Sequence, residues 1–146
     1  MSNKNFQTSV QLILKASAVG TPSKEAVLSL GPTPQYLLDH GFSQLDLIIK
    51  GSVVDKAYFD HGIPKGILER LGEIIANPKA LYKSATVTSS AVVITLEQKN
   101  GSPILVPMHA NRQVGRAWFN LVASVYIKES SIEERWTEKG LLLWHK

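Results

Sequence analysis

An α+β domain is the architecture the sequence predicts: N-terminal helices packed on one face of a C-terminal antiparallel sheet of about four strands. Three observations carry it. Apolar residues recur at helical spacing as far as Asn77-Pro78, and from Leu81 onward they recur at every second residue. Between two of the alternating runs lies Asn100-Gly101, the strongest short hairpin signal. Helical pattern followed by a succession of strands is the order of an α+β domain. The 146 residues fit a single domain, 1–146, with room for a proper core.

The elements follow in order. Residues 1–8 are polar and are expected to be loose. Val10, Leu12 and Leu14 alternate with Gln11 and Ile13, a pattern that strand and helix satisfy equally. Thr21-Pro22 and Thr33-Pro34 both read as helix starts, the first running to about Leu30 and the second ending at Gly41. Leu45–Lys50 reads as a short strand. Ser52 is placed to cap a helix with Val54, Ala57, Tyr58 and His61 on one face, closed by Gly62. Pro64 opens the strongest helix, with Ile67, Leu68, Leu71, Ile74 and Ile75 on one stripe. Strands are expected over 81–87, 91–98, 103–109 and 119–128. Ser131-Ile-Glu-Glu134 has the form of a capping box opening a short helix, and 141–144 closes as a last strand.

Composition narrows the classes. No apolar run reaches membrane-span length, and the N-terminus lacks the apolar stretch of a signal peptide, so no membrane partner and a cytoplasmic location are expected. With no cysteine there is neither disulfide nor thiolate metal site. The formal net charge of +4 tilts toward polyanionic partners, although no Lys/Arg block marks a nucleic-acid tail. No phosphate-binding glycine loop, zinc-protease motif or nucleophile elbow is present, so any enzyme here is expected to work without cofactor or metal.

The richest stretch for chemistry is 119–128. Read as one strand, it puts Phe119, Leu121, Ala123, Val125 and Ile127 on one side, with Asn120, Ser124, Tyr126 and Lys128 on the other, broken by Val122. A solvated sheet face gives the same alternation, but a Tyr hydroxyl and a Lys ammonium two residues apart suit an anionic substrate. Asp39-His40-Gly41 and Asp60-His61-Gly62 both have the form of helix ends, where His favours the negative pole and Gly the left-handed stop. His61 remains a site candidate on that background, whereas His40 reads as structural. His109 lies at a strand end, and His145 beside the C-terminus. Lys83 sits inside a predicted strand, with Ser84 next to it. Arg112 and Arg116 fall in the expected loop between two strands, within reach of phosphates.

In serial order, the stretches Leu30–Leu37, Val54–Ile63, Asn77–Ser84, Val92–Leu96, Asn100–Val106, Val122–Lys128 and Leu141–Trp144 resemble the C-terminal domain of phage MuF-type head proteins. That domain is similar to the barnase–EndoU–colicin–RelE-like nuclease and toxin group. The resemblance covers 30–146. It implies helices on a four-stranded antiparallel sheet, and polar positions at His61, Lys83 or Ser84, Ser124, Tyr126 and Lys128. The activity it implies is that of a metal-independent ribonuclease-like toxin or mobile-element effector acting by 2′-hydroxyl attack on the phosphate. The expected roles are phosphate stabilisation by Lys128 and Lys83 with Arg112, proton transfer by His61 or His109, orientation or proton exchange by Tyr126, and positioning by Ser84 and Ser124. Asn120 and Arg116 join the substrate-binding set. RNA is the expected partner, with a cognate immunity or antitoxin protein beside it. The alternative is a catalytically inactive module, encoded by a phage or plasmid, that binds RNA or inhibits a protein.

Overall fold

The structure, a computed structural model, describes residues 4–146. Its middle layer is one mixed sheet of eight strands: β1 (Val27–Pro32), β2 (Asp46–Lys50), β3 (Ala80–Lys83), β4 (Ser90–Lys99), β5 (Ser102–Val114), β6 (Ala117–Val122), β7 (Tyr126–Ile127) and β8 (Leu142–His145). They lie in the order β1-β2-β6-β5-β4-β3-β8, and β7 pairs with β5 below the end of β6. Five helices cover one face: α1 (Lys4–Ala18), α2 (Gln35–Leu38), α3 (Gly51–Asp55), α4 (Lys65–Glu69) and α5 (Leu71–Ala76). A sixth, α6 (Ile132–Glu138), packs on the other. The α+β class holds. The sheet has eight strands rather than about four because β1 and β2 join it from the N-terminal half, the expected 119–128 strand divides into β6 and β7, and β8 pairs with β3; β2 runs parallel to β6.

Local signals and tertiary pairing compete in the first fifty residues. Phe6, Val10, Ile13 and Leu14 are buried at helical spacing, so 4–18 is helix; residues 4–8 belong to it rather than to a loose arm, and residues 1–3 lie outside the described part. Thr21-Pro22 starts no helix. Val27 and Leu28 pair with Lys50 and Ile49 of β2, and this pairing outweighs the weak local start signal. The helix after Pro34 forms and turns out at Gly41, whose φ is +94°. Thr33 does not cap it, because its hydroxyl donates to the Leu45 carbonyl at 2.6 Å. Next to this, β2 passes into α3 at Gly51, where a Cβ would stand 2.0 Å from the Ser23 carbonyl oxygen. Only glycine lets that backbone approach.

The predicted 52–61 helix is interrupted. α3 starts at Gly51 without a side-chain cap and widens into a π turn, Lys56–Asp60. The wider turn breaks the three-and-four spacing: Val54 and Ala57 stay buried while Tyr58 turns outward. The helix after Pro64 also divides, at Arg70, yet its whole predicted stripe from Ile67 to Ile75 is buried. β3 stops at Lys83 because Ser84 Oγ accepts the Thr86 and Val87 amides and folds the chain away. The hairpin forms at Asn100-Gly101 with φ of +54° and +82°. Ser131 precedes α6 but makes no capping hydrogen bond.

Candidate functional site

On the face that carries only α6, a cavity of about 390 Å³ opens between β3, β4, β5 and β7. Four residues singled out from the sequence line it: Lys83, Ser84, His109 and Tyr126. Thr86, Ser90 and Trp136 complete its polar and aromatic lining, and no carboxylate side chain takes part. The ladder explains the placement. Ser90 of β4 stands opposite His109 of β5, with Ser90 Oγ 2.5 Å from His109 Nδ1. In the tautomer that donates from Nδ1, the other ring nitrogen keeps its lone pair for a proton. Tyr126 stands opposite Leu105, four residues along β5 from His109 and so about 13 Å away along the strand.

Two titrations are displaced. His109 is held below its ordinary range, first by partial burial and then by the Arg112 guanidinium. Both causes favour the neutral imidazole. Burial raises the Tyr126 phenol, which keeps its proton and stays a donor.

Arg112 reaches His109 because of a β-bulge. Leu121 and Phe119 lie two apart on β6, but their partners His109 and Arg112 lie three apart on β5. The additional residue bends through Asn111, whose φ is +54°. Without it Arg112 would face the opposite side of the sheet. Asn120 holds the bulge: its Oδ1 accepts the Asn111 amide at 3.0 Å, while its Nδ2 donates to Thr33 Oγ1 at 2.8 Å and to the Ser43 carbonyl at 2.9 Å. Fully buried, Asn120 positions Arg112 instead of meeting a ligand. Nor is Arg112 in a loop: it lies within β5, opposite Phe119, and its Nε is buried with no hydrogen-bond partner.

The expected single ladder over 119–128 is thereby divided. Val122 pairs with Met108 and Tyr126 with Leu105, so β6 has gained one residue by the time it becomes β7. The slip exchanges the faces. Asn120 and Val122 point to the helical core, as does Val125, whereas Phe119 and Leu121 share the face of His109. Lys128 follows Tyr126 at strand spacing, and Ser124 precedes it, but neither lines the cavity. His61 lies beside Tyr126, with ring centroids 6.4 Å apart. Arg116 is exposed at the β5–β6 turn. His40 takes the structural role expected of it, with Nδ1 2.7 Å from the Tyr36 carbonyl.

Charge is segregated in a way that the overall balance conceals. No Asp or Glu occurs between Glu97 and Glu129, while Lys99, Arg112, Arg116 and Lys128 do, so this one stretch accounts for the whole net charge of +4. Among the described residues, the ion pairs are Arg70–Glu97, Lys79–Glu133 and Arg135–Glu129. None engages a cation of the cavity or of β5–β7. The acid-free run was readable in the sequence; Ser90 was not, because its pairing with His109 depends on register. No group of three or more His, Asp or Glu among the described residues is arranged to hold a metal, and no described helix is long and apolar enough to cross a membrane.

An α+β domain with a cationic, carboxylate-free cavity on its thinly covered sheet face is thus the class that fold and site define. Residues 52–146 match the family model described as the phage MuF C-terminal domain, and the chain belongs to that family. The match begins at α3, so α1, β1, α2 and β2 precede it. No curated protein and no solved structure matches the chain.

Proposed function

We propose that the chain is a ribonuclease-like toxin or mobile-element effector that cleaves RNA without needing a metal. The observation that supports this most is the conjunction of a neutral imidazole, a protonated phenol and nearby cations around one cavity. In this reading His109 takes the proton of a ribose 2′-hydroxyl, and O2′ attacks the adjacent phosphorus. The bond from phosphorus to the 5′-oxygen breaks, and Tyr126 gives its proton to that oxygen. Products are a 2′,3′-cyclic phosphate and a 5′-hydroxyl, and the proton returns from His109 to Tyr126. Lys83 and Arg112 face the additional negative charge of the transition state. Ser84 donates to a phosphate oxygen, and Trp136 offers a face to a base. Lys128, Ser124 and His61 flank the Tyr126 end, where the next phosphate of the strand would run. A toxin of this kind requires an immunity protein in the producing cell.

Purified protein incubated with mixed cellular RNA in excess EDTA should release 2′,3′-cyclic phosphate ends. His109→Ala should slow this by about 10²–10⁴-fold with an unchanged melting temperature, and Lys128→Ala should slow it as well. Intact RNA at every wild-type concentration would favour a second reading, a silent RNA-binding module. The observation on its side is that a single imidazole and no carboxylate line the cavity.

A further inference from the structure

The ladders that join β5 to β4 and β6 to β2 end at His109 and Asn120. From Asn111 to Phe119 the two strands go on pairing only with each other. None of these residues belongs to either apolar cluster. A two-stranded ribbon with no core beneath it is marginal in water, so burial does not account for its composition. It carries Arg112, Arg116, Trp118 and Phe119 and no carboxylate. Trp118 is 54% exposed. Arg112, Val114 and Phe119 are half-buried, and Trp118, opposite Gln113, is exposed on the face away from Arg112. Its root lies at the cavity, where Arg112 shares the face of His109 and keeps a buried Nε without an acceptor. Six residues from His109 to Gly115 span about 20 Å, room for several nucleotides.

We propose that this arm is a track for single-stranded RNA leaving the cavity, with Arg112 taking a phosphate at the root and Arg116 a second at the tip, where the strand passes over to the far face of the ribbon and stacks an unpaired base on Trp118. The inference rests on RNA being the ligand of the cavity, but not on its being cleaved. Guanidinium groups suit phosphate oxygens. An exposed indole rewards a base whose face is free, which duplex RNA does not offer.

The test is the affinity of the full chain for a short 2′-O-methyl RNA strand, which lacks the attacking hydroxyl and reports binding alone, measured across a salt series. The Arg112→Gln/Arg116→Gln variant should lower the slope of log K against log salt by about 1.4, two phosphates at roughly 0.7 each. Trp118→Ala should weaken binding about tenfold or more and leave the slope in place. Unchanged affinity and slope in both variants, or equal affinity for the duplex, would overturn the proposal. Loss of affinity in the variants with no cleavage of ordinary RNA would defeat the catalytic reading and leave the arm standing. Cleavage with no loss of affinity would do the reverse.

Discussion

Beneath the helices, one apolar cluster runs from Phe6 on α1 through Leu68 and Ile75 to Val106 and Met108 on the sheet and Val125 in the connection between β6 and β7. On the other side of the same strands only Ala80, Tyr82, Val92, Ile94, Leu105 and Ile132 are buried together. The two faces also hold different polar groups. The helical side buries the Asn120 amide with its hydrogen bonds made, and Ser17 Oγ and Asp55 Oδ1 of its helices without partners. The α6 face leaves the Arg112 Nε without a partner and favours the neutral form of His109. A single-layer sheet can separate stability from chemistry in this way, since alternate residues of each strand answer to different surroundings. The thick face holds the strands in place, and the thin face can then carry groups that would destabilise a core.

The comparison can be broken most directly through its apolar side. Leu68→Ala, at a fully buried position of α4, should cost about 2–5 kcal/mol in denaturant unfolding. The half-buried Trp136→Ala on the α6 face should cost clearly less, and an equal loss would erase the asymmetry. Asn120→Ala comes next, because it tests the link between the faces. It strands the Asn111 amide and the Ser43 carbonyl and should cost about 3 kcal/mol. It should also let the bulge relax, so that Arg112 leaves and the His109 titration followed by NMR moves up. A destabilised variant with an unmoved His109 would show that Asn120 supports the fold but does not aim Arg112. Arg112→Gln should have the smallest effect on stability. Since the folded chain holds His109 below its unfolded value near 6.5, the unfolded chain binds more protons just below that pH. Stability therefore falls as the pH drops through this window. Removing Arg112 takes away the lesser of the two causes, so the His109 midpoint should rise and the fall should become shallower.

Much of this fold was legible where local pattern and tertiary role agree. The stripe from Ile67 to Ile75 and the Asn100-Gly101 turn are examples, as is the close of the second helix at Gly41. It was not legible where strand register decides. Counting back from the hairpin turn puts Val92 opposite His109. The actual partner is Ser90, because β4 carries two more residues between Ile94 and Gln98 than β5 has opposite them. Thr95 absorbs them, its hydroxyl donating to the Ile104 carbonyl and accepting the Glu97 amide. The same limit split the ladder over 119–128: Tyr126 was placed correctly on an open face, whereas Asn120 was assigned the wrong side. Thr21-Pro22 shows the converse error, a local helix signal overruled by an edge strand.

The slipped residue between Val122 and Val125 has a consequence for how this segment can vary. Neither Ala123 nor Ser124 lines the cavity, yet their number sets which of the following residues face it. Loss of one residue there would bring Ile127 to the site in place of Tyr126 and turn the phenol toward the apolar layer. Substitution in this short connection therefore leaves the lining in place, while any change of length rewrites the site without touching a single one of its residues.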